Sequence, residues 1–178
     1  MDNALRGFLE RQYTEAMALA EKSDLLDLRP LEGEPPYKYL AHFSCKGLVK
    51  NDSEITEAES FLVGIMMPSD YLARVEPLEV VSWLAPRNIH HPNVGRGPIR
   101  REGPLLICVG DISPATPLVD ILYQVFEIIT YNNMTMQELN ALNWEACAWA
   151  RQNLHRFPVD SRPLKRRTLD VELEELKA

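Results

Sequence analysis

The stretch "YKYLAHFSC", residues 37–45, alternates. Tyr37, Tyr39, Ala41, Phe43 and Cys45 fall on one side, and Lys38, His42 and Ser44 fall on the other. A period of two is the signature of a half-buried strand, because successive side chains point to opposite faces. A strand with one wet face needs neighbours, and the flanking segments supply them. "DLLDLRPL" precedes it across the turn residues "EGEPPYK", and "SFLVGIMM" and "LEVVSWL" follow it. The polar stretch "KNDSEITEAE" reads as a loop. "PSDYLARVEP" begins and ends with proline and reads as a turn. Four strands joined by short links favour an antiparallel meander.

Helices flank this meander. In "NALRGFLERQYTEAMALAEKS", Leu5, Phe8, Leu9, Tyr13, Ala16 and Ala20 recur at helical spacing, while Arg6, Glu10, Arg11 and Glu15 fall mostly on the other side. "SPATPLVDILYQVFEIITY" predicts a second helix, with Thr116 as N-cap, Pro117 at the first helical position and an apolar stripe from Leu118 to Ile129. A third is expected over roughly "MQELNALNWEACAWARQNL", ended by Pro158. The segment 158–178 reads as a tail, either a weak helix or disordered. The expected fold is therefore α+β, with one domain over 1–157.

Composition narrows the function. The 178 residues suffice for one ordinary domain. A net charge of -7 argues against a nucleic-acid partner, and no apolar run reaches the length of a membrane span. The N-terminus lacks the pattern of a signal peptide. The 3 cysteines, Cys45, Cys108 and Cys147, are far apart and odd in number, which gives neither a disulfide framework nor a paired zinc-ligand spacing. A reducing, cytoplasmic setting follows from that usage.

The chemistry concentrates in "HHPNVGRGPIRREGPLLICVG", residues 90–110. Cys108 sits at the edge of an apolar segment, with Gly110 leaving space beyond it; such a thiol is either a nucleophile or a small buried residue. Asn93 offers an amide donor, or is a turn residue bonded to its own backbone. His90 and His91 with Cys108 raise a metal reading, but no second paired ligand spacing accompanies them, so shaping of the loop is the expectation for His91 and Pro92. Arg96, Arg100 and Arg101 line the segment as a solvated loop, or as cations that would stabilise a thiolate. Asp111 follows the thiol closely and offers a carboxylate, or is an ordinary exposed loop residue. Asn132 and Asn133 are weaker candidates, and Trp83, Trp144 and Trp149 read as core anchors. A thiol hydrolase would need a triad, which His155 and Asp160 are too weakly placed to supply.

The order of several words resembles the ubiquitin-conjugating enzymes. "FLVGIMMPSDYL" is similar to the family's third strand and the turn after it, and "HPN" (His91, Pro92, Asn93) matches its signature tripeptide. "LLICVGDI" resembles the segment bearing its catalytic cysteine, "SPATPLVDIL" the start of the next helix, and "ALNWEACAWARQN" a segment near the end of the fold. The words span about residues 1–155. The chain departs from the family where "LARVEP" replaces a proline-rich run, where the tryptophan before "SPA" is missing, and where Asn93 and Cys108 stand 15 positions apart, a longer gap than usual. In this it is most similar to divergent bacterial members that work with ubiquitin-like proteins.

The resemblance implies an N-terminal helix, a four-stranded antiparallel meander and C-terminal helices. It implies a transferase that accepts a ubiquitin-like protein from an activating enzyme as a thioester on Cys108 and passes it to an amine of a target protein. Asn93 and Asp111 would assist, Arg6, Glu10 and Arg11 would dock the activating enzyme, and no cofactor would be bound. The alternative is a catalytically inactive module of the same fold that binds a ubiquitin-like protein or an enzyme partner.

Overall fold

The computed structural model describes residues 2–96 and 103–166. Helix α1 (Asn3–Glu21) opens the chain, followed by β1 (Leu26–Glu32), β2 (Lys38–Phe43), β3 (Gly47–Asn51), β4 (Glu54–Ala58) and β5 (Phe61–Met66). A single helical turn, α2 (Pro77–Val80), leads into β6 (Val81–Ala85). Two short strands, β7 (Val94–Gly95) and β8 (Leu105–Ile107), precede α3 (Leu118–Ile129) and α4 (Trp144–Gln152). The architecture is α+β, with an N-terminal helix, an antiparallel sheet and C-terminal helices.

The expected four-strand meander forms as part of a larger sheet, which has six strands among the described residues because β8 and β7 add to it beyond β6. Strands β1, β2, β5 and β6 pair antiparallel in that order, with Tyr39 opposite Ile65, Ala41 opposite Val63 and Phe43 opposite Phe61. The register places one face of each strand against the core, and leaves Leu40, Leu62 and Leu84 on the other. Tyr39, Ala41, Phe43, Phe61, Val63, Val81 and Trp83 are all at most 1% exposed, packed in one core with α1 and α3. Trp83 keeps its indole N–H satisfied by donating to the Pro86 carbonyl at 2.8 Å.

Several expectations change. "KNDSEITEAE" is not a loop: it turns at Asp52, in the left-handed region at φ 53°, and forms the β3–β4 hairpin as a separate two-stranded sheet. The third expected helix is shorter. Residues Glu138–Asn140 make only a 3-10 turn, and α4 begins at Trp144, where the Asn143 carboxamide oxygen accepts the Ala146 N–H at 3.0 Å. Trp144 is no core anchor; it is 70% exposed. Helix α3 starts one residue later than expected and is capped from elsewhere. Thr116 spends its hydroxyl on Ser113, and the first N–H of α3, at Leu118, donates to Gln12 Oε1 at 2.7 Å. Gln12 is a polar residue inside the apolar stripe of α1, and it satisfies one of the unpaired donors of another helix. Tyr13, expected in that stripe, is 37% exposed.

The domain also continues past 157. Residues 158–166 run back across the fold: the Val159 N–H donates to Thr130 at 2.8 Å, Leu164 is 1% exposed in the core, and the Arg166 N–H donates to Lys22 at 2.8 Å. Asp160 anchors this strap. Burial alone would raise its carboxyl, but the Arg162 guanidinium and the backbone N–H groups of Lys46 and Arg162 outweigh burial and hold it at about 2. The rest of the expected tail, 167–178, lies outside the described residues, as do Arg100 and Arg101. Among the described residues no helix is long and apolar enough to cross a membrane.

Candidate functional site: a thiol on a clamped hairpin

The segment ahead of Asn93 is fixed before any side chain acts. The Lys50 N–H donates to the Asn88 carbonyl at 2.8 Å, the His90 N–H donates to Leu48 at 2.9 Å, and Ile89 bridges Val49. The unexpected β3–β4 hairpin is thus what pins the approach to the histidines. From the other side, the Tyr131 hydroxyl donates to the His90 carbonyl. Tyr131 is 2% exposed and stacks on Phe157, its ring centroid 4.4 Å away.

The two histidines are scaffold. The His91 ring is fully buried and meets the Tyr131 ring edge-on at 4.3 Å. Burial pushes its pKa down to about 3, so it is neutral at pH 7. Its Nδ1 accepts the Asn93 N–H at 3.0 Å, which assigns the proton to Nε2. His90 packs against Trp149, and burial lowers its pKa too. Among the described residues no group of three His, Cys, Asp or Glu side chains is arranged to hold a metal. Pro92 is buried, and its carbonyl accepts the Asn143 N–H at 3.1 Å.

The long spacing between Asn93 and Cys108 does not separate them. Strands β7 and β8 pair antiparallel, Val94 opposite Ile107 and Gly95 opposite Leu106, and β8 also pairs with β6. Asn93 and Cys108 therefore face each other at the end of this pairing. The Cys108 N–H donates to the Asn93 carbonyl at 2.8 Å, and Asn93 Nδ2 donates back to the Cys108 carbonyl at 2.9 Å. Asn93 Oδ1 accepts the Thr135 N–H at 2.8 Å. One carboxamide thus ties the cysteine's backbone to the segment between α3 and α4. Gly95 lets that segment come close: a Cβ there would stand 2.3 Å from the Leu142 carbonyl oxygen.

Cys108 is half-buried between Ile107 and Val109, which are 0% and 2% exposed. Cys45 and Cys147 are buried. Burial pushes the Cys45 thiol up to about 12, with the Asp160 carboxylate adding to it. Cys147 directs its Sγ at the Thr135 carbonyl, 3.5 Å away. Of the three thiols, Cys108 alone is not buried. Beyond it Gly110 takes φ +99°, a conformation that glycine adopts without strain, and Asp111 is exposed. The chain then passes the buried Tyr71, whose hydroxyl donates to the Thr116 carbonyl at 2.8 Å.

Other candidates stand apart. Arg6, Glu10 and Arg11 lie on the exposed side of α1. Asn132 and Asn133 are exposed after α3, and Asn132 Nδ2 donates to Thr130 Oγ1 at 2.8 Å. Asp160 is engaged by Arg162, and His155 is exposed, so neither serves the thiol. Sequence reasoning missed Tyr131, Thr135, Asn143 and Gly95. Of these only Gly95, a glycine two residues after Asn93, carried a signal. No protein-family model matches the chain, and no curated protein matches it.

Proposed function

We propose that the chain is a ubiquitin-conjugating-enzyme-like transferase that carries a ubiquitin-like protein on Cys108. The observation that supports this best is the reciprocal hydrogen bonding of Asn93 and Cys108 at the end of the β7–β8 pairing, which fixes the backbone of a half-buried thiol. In the first step the Cys108 thiolate attacks the thioester between the carrier and the activating enzyme. A new C–S bond forms, the old one breaks, and the activating enzyme's thiol leaves. In the second step an uncharged lysine amine of the target attacks the new thioester. An amide forms, the Cys108 thiolate leaves, and the amine's proton passes to solvent or to a nearby base. Asp111, exposed three residues on, serves to attract and orient the lysine ammonium. Asn93 is a positioning residue: its carbonyl-side oxygen and one N–H are both spent on holding the loop. Arg6, Glu10 and Arg11 would form the docking face for the activating enzyme. ATP is consumed one step earlier, and no cofactor enters this chemistry.

Incubation with an activating enzyme, its carrier and ATP should give an adduct that reductant cleaves and that Cys108→Ala abolishes. An adduct persisting in Cys108→Ala contradicts the assignment.

The commitment of the Asn93 carboxamide to the loop also favours a second reading, a non-catalytic module of the same fold that binds a ubiquitin-like protein or an enzyme partner. Native-state alkylation separates the two. Rapid labelling of Cys108 with a pH midpoint below the ~8.5 of a free thiol supports the transferase; resistance to a small alkylating reagent supports the module.

A further inference from the structure

Between Cys108 and α3 the chain makes a turn whose backbone runs against its residue types. Ser113, Pro114, Ala115 and Thr116 form it, and the Thr116 N–H closes it on the Ser113 carbonyl at 3.1 Å. Proline at the second position and a left-handed third residue make it a type II turn. That third position favours glycine, yet here it is Ala115, at φ 64°. Alanine prefers the type I turn, in which the central peptide unit is flipped and φ is negative. The flip keeps the closing hydrogen bond, so that bond does not oppose it. The Thr116 hydroxyl accepts the Ser113 N–H at 3.0 Å and donates to the Ser113 carbonyl at 2.8 Å. It therefore ties the ends of the turn and not its central peptide.

The opposing contacts come from Tyr71, in the turn after β5. Its carbonyl accepts the Ala115 N–H at 3.2 Å, and its hydroxyl donates to the Thr116 carbonyl at 2.8 Å. The first contact reads the orientation of the central peptide directly, because in the flipped turn that N–H points away. Tyr71 is fully buried and its ring centroid lies 5.9 Å from that of Phe8 on α1, so the clamp is fixed from the core. A strained residue persists only where its surroundings over-determine it, and such residues gather at functional sites. Here the strained turn ends the segment that starts at the thiol. Val109 and Ile112 on that segment are buried, and Gly110 and Asp111 between them are exposed.

We propose that Tyr71 is a positioning residue for the transfer: by holding the 113–116 turn in its type II form it fixes the exposed Gly110 and Asp111, and so keeps the Asp111 carboxylate where it meets the incoming ammonium. The inference rests on Cys108 being the transferring thiol and Asp111 the orienting carboxylate. The test uses two thiol reagents of one size, 2-aminoethyl methanethiosulfonate, which carries a lysine-like ammonium, and its neutral 2-hydroxyethyl analogue. With either, the Cys108 thiolate attacks the sulfenyl sulfur, an S–S bond forms and methanesulfinate leaves. The ratio of the two rates, read at Cys108 by peptide mapping, cancels changes in the thiol's exposure and pKa. It should be about threefold higher in the unaltered protein than in Asp111→Asn, the pull of one nearby carboxylate in water. Tyr71→Phe keeps the ring and removes only the hydroxyl, and it should lose that preference. Tyr71→Phe combined with Ala115→Gly should regain it, because glycine takes the left-handed position unaided. NMR reads the turn itself: a strong cross-peak from the Pro114 Hα to the N–H at position 115 marks type II, and it should weaken in Tyr71→Phe and return in the double variant. A ratio unchanged in Tyr71→Phe or in Asp111→Asn overturns the proposal. So does a loss that Ala115→Gly leaves unrepaired, since Tyr71 would then act by packing alone. If neither reagent labels Cys108, the transferase reading falls. The cross-peak then decides the clamp by itself, and an undiminished peak in Tyr71→Phe overturns it.

Discussion

At the scale of the residue, the site depends on atoms that do no chemistry. Asn93→Ala leaves the Thr135 N–H and the Cys108 carbonyl without their partner, and because both sites are part-buried the loss is expected to be about 1 kcal/mol. The expected outcome is a lower urea midpoint together with faster hydrogen exchange at the Thr135 amide. Unchanged exchange there would remove Asn93 as the tie between the hairpin and the 135–143 segment. Gly95→Ala is expected to destabilise by roughly 1–3 kcal/mol, because its methyl meets backbone at Leu142 and not a side chain that can turn away. Denaturation with Cys108 alkylation measured in parallel checks this: stability and the protection of the hairpin should fall together.

At the scale of the element, helix α3 depends on α1 for its start. Gln12→Ala is expected to cost about 1–2 kcal/mol, and Gln12→Glu much less, since a carboxylate can still accept the Leu118 N–H and suits a helix N-terminus. Chemical denaturation of the pair is the check, and equal losses would contradict the capping role. Elements with a long, one-sided pattern were legible in the sequence: α1 by its 3.6-residue stripe, and β2 by the alternation that buries Tyr39, Ala41 and Phe43. Elements that satisfy their backbone without burying a face were not. Strand β4 buries none of its residues and carries Glu54 and Glu57, so its composition is that of a loop. Strands β7 and β8 are two and three residues long, too short for any period to show. The site was legible in part. "HHPN" and "ICVG" drew attention as words, but their closure across the insert comes from the β7–β8 pairing, and its supports at Tyr131 and Thr135 are distant in sequence.

At the scale of the whole molecule, the site is embedded in the stability of the fold. The strap 158–166 closes over the core at Leu164, and Tyr131 joins it to the histidine segment through Phe157. That embedding sets a pH dependence. The unfolded chain protonates His91 near 6.5, while the folded chain refuses the proton until about 3. Stability from this residue is therefore complete above pH 6.5 and is lost as pH falls toward 3, with a slope approaching ~1.4 kcal/mol per pH unit. Asp160 adds a second loss between its ordinary 3.8 and about 2. Urea titrations from about pH 7.5 down to about pH 5.5, above the range in which carboxylates titrate, should show a flatter slope for His91→Asn than for the unaltered protein. Equal slopes would place the acid sensitivity elsewhere. The most direct test of the central claim keeps Cys108 as the sole thiol, in Cys45→Ala with Cys147→Ala, and asks by intact mass and peptide mapping where a carrier attaches in the presence of an activating enzyme and ATP. The account requires one carrier, on Cys108, released by reductant; an unmodified protein, or a carrier held through any other residue, contradicts it.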